Sequence, residues 1–201
     1  MQKIYLLDIK GFSDEERLKS LLPPYAVKKA EGYAERADRI RSLFGSMLIE
    51  TFTAKESILL GAHGKPYKKT PPFFNVSHSG DKVGIFLSDN SEVGFDIQLI
   101  KDYNAALAAR VFPEKEIDIV CAADFTKFWT MKESAAKLTG EGIVNTKRQI
   151  LTGVVGDTFN FDGKRVYYKT FIKDGYAITA CAYGKISAEI SEITTKDLIF
   201  G

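Results

Sequence analysis

Helices followed by short strand meanders, twice over, predict an α+β fold built as two similar lobes. Three observations carry the prediction. Apolar residues recur at helical spacing over 34–53, where Ile40, Leu43, Phe44, Met47, Leu48 and Phe52 share a face and Arg36, Arg39 and Ser46 lie nearer the other. Three strand-like runs follow at 73–77, 82–88 and 92–99. The segment 150–183 is then rich in β-branched and aromatic residues, broken by Gly153, Gly156, Asp162-Gly163 and Asp174-Gly175, which is the pattern of antiparallel hairpins.

The elements follow in order. Residues 3–9 read as a strand. Ser13-Asp14-Glu15-Glu16 opens a helix with a capping side chain and acids at the positive end of its dipole. A second helix begins after Pro23-Pro24, and 34–53 is the main helix of the first lobe. Gly64-Lys65-Pro66-Tyr67 and Thr70-Pro71-Pro72 are loop punctuation, and Asp89-Asn90 is a tight connection between strands. Helices are expected at 103–111, 113–122 and 124–139, the last stopped by Gly140-Glu141-Gly142, before strands at 150–155, 158–161, 165–172 and 177–183. The predicted lobes are 1–91 and 92–201, alike in architecture without visible sequence repetition.

A chain of 201 residues can bury a core without staples. Cys121 and Cys181 match neither a zinc spacing nor a disulfide framework and read as thiols in a reducing compartment. An acid already at Asp8 argues against a signal peptide, and no apolar run approaches a membrane span. The expectation is a cytoplasmic protein without a membrane partner. A net charge of +2 is too small to argue for nucleic acid. Lys28, Lys29, Arg36, Arg39 and Arg41 nevertheless cluster, as either an anion site or a solvated helix face.

Two stretches concentrate chemistry: Asn75-Val76-Ser77-His78-Ser79 and Trp129-Thr130-Met131-Lys132-Glu133-Ser134-Ala135-Ala136-Lys137, with Gly94-Phe95-Asp96-Ile97-Gln98 between them. Asp96 and Gln98, two apart on a strand, present two oxygens to one point. Glu133 and Lys137, four apart on a helix, share a face; alone they equally describe a surface ion pair. Asp96, flanked by Phe95 and Ile97, must face solvent, a partner or a metal. Ser77, His78 and Ser79 read as a strand end running into a turn, three donors that suit a phosphate or simply bond the turn. Gly64 permits close backbone approach, and Lys65 adds charge beside it.

In order and spacing these residues resemble the Sfp-type 4'-phosphopantetheinyl transferases. The resemblance covers most of the chain: Arg41-Ser42-Leu43-Phe44-Gly45-Ser46-Met47-Leu48, Gly64-Lys65-Pro66, Phe74-Asn75-Val76-Ser77-His78-Ser79-Gly80, Gly94-Phe95-Asp96-Ile97, and Phe128-Trp129-Thr130-Met131-Lys132-Glu133-Ser134 followed by Lys137 and Gly140. It implies a pseudo-two-fold pair of α+β lobes with the active site in the cleft. The implied reaction is Mg²⁺-dependent transfer of the phosphopantetheine arm from coenzyme A to a serine of an acyl or peptidyl carrier protein, releasing adenosine 3',5'-bisphosphate. Such carriers serve fatty-acid, polyketide and nonribosomal-peptide biosynthesis.

By position, Asp96 and Glu133 look like the family's magnesium ligands, Glu133 also its general base, and Lys137 the lysine on the pyrophosphate. Lys29, Arg41, Ser42, Gly64, Lys65, Pro66, Ser77 and His78 match coenzyme contacts, and pseudo-dimeric relatives imply a monomer. One position departs from the pattern: the family usually has a glutamate two residues after the metal-binding aspartate, and here it is Gln98, a neutral oxygen donor. A catalytically silent coenzyme A or carrier-binding homologue is the alternative that this departure leaves, with a metal-dependent nucleotide hydrolase as a third reading.

Overall fold

The computed structural model describes residues 1–53, 58–61, 64–102, 105–112, 125–140 and 151–200. Strand β1 (Gln2–Asp8) leads to helices α1 (Glu15–Ser20), α2 (Pro24–Glu31) and α3 (Arg36–Phe52). Asp14 caps α1 by accepting from the Arg17 backbone amide at 3.0 Å. Glu15 is buried because Arg39 reaches it at 2.9 Å and Arg36 at 3.5 Å, so these two basic residues of the cluster brace α1 against α3. After a two-residue ladder of β2 (Leu59–Leu60) and β3 (Pro66–Tyr67) come β4 (Phe73–Ser79), β5 (Lys82–Ser88) and β6 (Val93–Leu99). Helices α4 (Ala105–Val111) and α5 (Phe125–Thr139) precede β7 (Leu151–Val155), β8 (Thr158–Phe161), β9 (Lys164–Lys173), β10 (Tyr176–Ala182), β11 (Ile190–Ile193) and α6 (Thr195–Phe200).

The strands form two main sheets, ordered β11-β1-β5-β4 and β6-β10-β9-β8-β7. Period-two alternation divides each between two cores. In the first sheet Leu7, Val83, Ile85 and Leu87 face α3, while Ile4, Leu6 and Phe86 face the second sheet. There they meet Val93, Phe95, Ile97, Ile178 and Ala180; the opposite face of that sheet, with Cys181, Phe159, Phe161 and Val166, packs on Met131, Ala135 and Leu138 of α5. The layers are therefore helix, sheet, sheet, helix.

Gly94 is what lets α5 lie directly on β6. A Cβ there would sit 1.8 Å from the Ser134 carbonyl oxygen and 2.8 Å from the Leu138 amide nitrogen, closer than any side chain tolerates. The hairpin between β9 and β10 turns on Asp174 and Gly175, both at positive φ, the conformation that suits the twist of paired strands.

The α+β class and most element positions follow the sequence. The expected helix over 113–122 lies outside the described residues, as do the starts of those at 103–111 and 124–139. Elsewhere the structure adds to the sequence reading. Pro66 and Tyr67 extend into a ladder with Leu60 and Leu59 instead of remaining loop. Strand β11 and helix α6 arise from 184–200, where no element was expected, because β11 is only four residues long and pairs in parallel with β1 across nearly the whole chain. The chain's end thus joins its first sheet.

Candidate active site

A cavity of about 380 Å³ opens beside α3, β4 and α5. It is within the size range of small-molecule sites. Lys29 of α2, Tyr33, Ser42, Gly45 and Ile49 of α3 form one wall; Gly64, Lys65 and Pro66 another; Asn75, Val76 and His78 of β4 and Ala136, Lys137 and Gly140 of the α5 end close it. Helix α3 serves both purposes, because its Leu43, Phe44, Met47 and Leu48 pack on the sheet while Ser42, Gly45 and Ile49 line the space. The Ser42 hydroxyl is fully buried and has no hydrogen-bond partner among the described residues. Such an orphan is costly unless something else satisfies it.

The cavity is electropositive. Burial pushes the Lys29 and Lys65 ammonium groups below their usual range, and Lys65 donates to the Lys137 carbonyl. Burial, then the charges of Lys137, Arg41 and Lys29, push His78 down to about 4, so its imidazole is neutral at pH 7. Arg41 stands behind this wall, donating to the Gly80 carbonyl at 3.1 Å and to Asp38 at 2.5 Å.

Strand β4 continues through Ser79, two residues past its expected end, and the pleat therefore separates the three expected donors. His78 faces the cavity, whereas Ser77 and Ser79 face β6. The Ser77 hydroxyl donates to Asp96 Oδ1 at 2.9 Å and accepts from the Ile97 amide at 3.2 Å and from Lys137 Nζ at 3.0 Å. Lys137 pairs with Asp96 at 2.6 Å, across elements, and no ion pair to Glu133 accompanies it among the described residues.

Asp96 is only 1% exposed and Glu133 6%. Burial, and then the nearby Asp96 charge, lift the Glu133 carboxyl to about 7 despite the opposing pull of Lys137. Two buried carboxylates whose charges act on one another are costly unless a cation offsets them. Gln98 donates from Nε2 to Asp96 Oδ2 at 3.3 Å, so its side-chain amide lies beside that carboxylate with the N–H side toward it. No group of three or more His, Cys, Asp or Glu forms a metal cluster among the described residues. Asp96 and Glu133 are hard oxygen donors of the kind that suits Mg²⁺, and Gln98 beside them has an amide that can offer an oxygen without charge.

A family model described as the 4'-phosphopantetheinyl transferase superfamily matches residues 92–186, which contain Asp96, Gln98, Glu133 and Lys137. The chain is 33% identical to the 4'-phosphopantetheinyl transferase psf-1 of Bacillus pumilus over 70% of each protein. The chain belongs to the Sfp-type 4'-phosphopantetheinyl transferase family. It is also 27% identical to the transferase Sfp of Bacillus subtilis (strain 168) over 92% of this chain and 93% of that protein. Escherichia coli (strain K12) AcpT, another 4'-phosphopantetheinyl transferase, is 32% identical over 47% of this chain and 54% of its own length.

Of the residues expected to contact the coenzyme, Lys29, Ser42, Gly64, Lys65, Pro66, His78 and Lys137 line the cavity of this family member, while Arg41 and Ser77 do not: Arg41 bonds the Gly80 carbonyl and Ser77 bonds Lys137 of the wall. Sequence reading gave no site role to Tyr33, Gly45, Ile49, Asn75, Val76, Ala136 and Gly140, which also line the cavity. Tyr33 was legible in principle, as an aromatic residue immediately after Gly32 in a basic stretch. No helix among the described residues is long and apolar enough to cross a membrane.

Proposed function

We propose that this cavity binds coenzyme A and that the adjoining acids and lysine transfer its 4'-phosphopantetheine arm to a serine hydroxyl of an acyl or peptidyl carrier protein. The observation that carries the reading is the junction of Asp96, Glu133 and Lys137 at the edge of an electropositive cavity of nucleotide size. Lys29, Lys65 and the neutral His78 would hold coenzyme phosphates, the unsatisfied Ser42 hydroxyl would gain a partner, and Tyr33 offers a ring face for the base.

In the transfer, the serine oxygen attacks the pantetheine-side phosphorus of the pyrophosphate. The new P–O bond forms as the bond to the adenosine 3',5'-bisphosphate leaving group breaks, and the serine proton passes to Glu133, directly or through a water. Asp96, Glu133 and the Gln98 amide oxygen are the groups that would hold Mg²⁺, whose charge offsets that developing on the pyrophosphate. Lys137 is placed to meet the leaving group with its ammonium.

On this reading residues 1–91 supply most coenzyme contacts and 92–201 supply the acids, Lys137 and the carrier surface, in a cytoplasmic monomer. The test is release of adenosine 3',5'-bisphosphate from coenzyme A and Mg²⁺ with an apo carrier. Release that requires the carrier serine supports transfer. Release without carrier would indicate hydrolysis, and coenzyme binding without release would indicate a silent homologue.

A further inference from the structure

Strand β6 is an edge of the five-stranded sheet and β4 an edge of the four-stranded one, so each should present unpaired backbone groups. They lie side by side without a backbone ladder. Instead, the Phe95 amide donates to Asn75 Oδ1 at 2.9 Å, the Ile97 amide to Ser77 Oγ at 3.2 Å and the Leu99 amide to Ser79 Oγ at 3.0 Å. Alternate side chains of one strand replace the carbonyls that a neighbouring strand would provide. Because successive teeth are two residues apart on both strands, the comb fixes a register: a slip of β4 by one residue along β6 would carry the three side chains away from the Phe95, Ile97 and Leu99 amides and part Ser77 from Asp96.

We propose that Asn75, Ser77 and Ser79 act as a side-chain comb that sets the register between the two sheets, and that Ser77 is a positioning residue for Asp96 and Lys137. This rests on the transferase reading of the site. A hydroxyl has one proton to donate and two lone pairs, and Ser77 uses all three, on Asp96, on the Ile97 amide and on Lys137. It therefore has no capacity left for a ligand while these bonds stand. Its function is to bind the strand that carries Asp96 to the lysine that carries charge from α5. The sheets approach closely at Gly84, where a Cβ would meet the Ile97 and Phe95 side chains of the other sheet, both at 3.0 Å.

The test follows individual backbone amides by hydrogen exchange in wild type and in Ser77→Ala, Ser77→Thr and Ser77→Cys, without coenzyme or metal, alongside kcat and KM for coenzyme A. Wild-type Phe95, Ile97 and Leu99 amides should be protected. Ser77→Ala should speed exchange at Ile97 by about tenfold or more, with a much smaller change at Phe95, and lower kcat by about tenfold with KM within about threefold. Across the three variants, loss of Ile97 protection and loss of kcat should move together, with hydroxyl-retaining threonine nearest to wild type in both. A variant that loses Ile97 protection but keeps wild-type kcat, or unprotected Phe95, Ile97 and Leu99 amides in wild type, overturns the proposal. Failure of wild-type protein to modify any carrier would count against the transferase reading instead, since the exchange measurements do not depend on turnover.

Discussion

Replacing Glu133 by glutamine should make the metal-free protein more stable and the enzyme inactive. The folded carboxyl titrates at about 7 against an ordinary 4.5, because it is buried beside Asp96. Between those values the unfolded chain binds fewer protons than the folded one, so folded stability falls as pH rises through the window. The penalty on the wild type is on the order of 3 kcal/mol at pH 8 and about 1 kcal/mol at pH 5. Glu133→Gln removes the charge while keeping the shape, and for a chain of this length the gain at pH 8 corresponds to a Tm rise of about 6–12 °C. The assay is thermal unfolding of both proteins with a chelator present, at pH 8 and at pH 5. Added Mg²⁺ should then narrow the difference by stabilising the wild type alone, and turnover of the variant should fall by about 10²–10⁴-fold. A variant no more stable than wild type at pH 8, or a gain equal at both pH values, would refute the reasoning.

Gly94→Ala should prevent folding or cost at least about 3 kcal/mol, since its Cβ would collide with the α5 backbone rather than with a movable side chain; a soluble variant with a wild-type denaturation midpoint would contradict the packing. His78, held neutral down to about pH 4 against an ordinary 6.5, contributes stability that is complete above 6.5 and lost as pH falls towards 4; His78→Asn should flatten that limb of the stability profile, measured with urea. Gln98→Glu restores a third acid beside Asp96 and should lower the Mg²⁺ concentration for half-maximal turnover by about tenfold; an unchanged requirement would remove Gln98 from the metal site.

How far the sequence reveals this molecule depends on the range of the interaction. Helix α3 and the Asp-Gly hairpin were legible because spacing and turn chemistry are local. Asp96 was legible as an acid that an apolar strand must explain, and it proves to be buried against Lys137. The partner of Lys137 was not: helical spacing offers Glu133, whereas folding brings Asp96 from another element to 2.6 Å. Ser77 and His78 were adjacent candidates for one ligand until two additional strand pairs, at His78 and Ser79, set them on opposite faces. Parallel pairing of β11 with β1 leaves no local trace, because its register joins residues 4–7 to 190–193.

The most direct measurement is the intact mass of an apo carrier protein after incubation with this protein, coenzyme A and Mg²⁺. The account predicts a gain of one phosphopantetheine arm, placed on the carrier serine, abolished by a chelator and by Glu133→Gln, and matched by one adenosine 3',5'-bisphosphate per carrier modified. A carrier of unchanged mass while the coenzyme occupies the cavity, tested across fatty-acid, polyketide and peptide carriers, would contradict it.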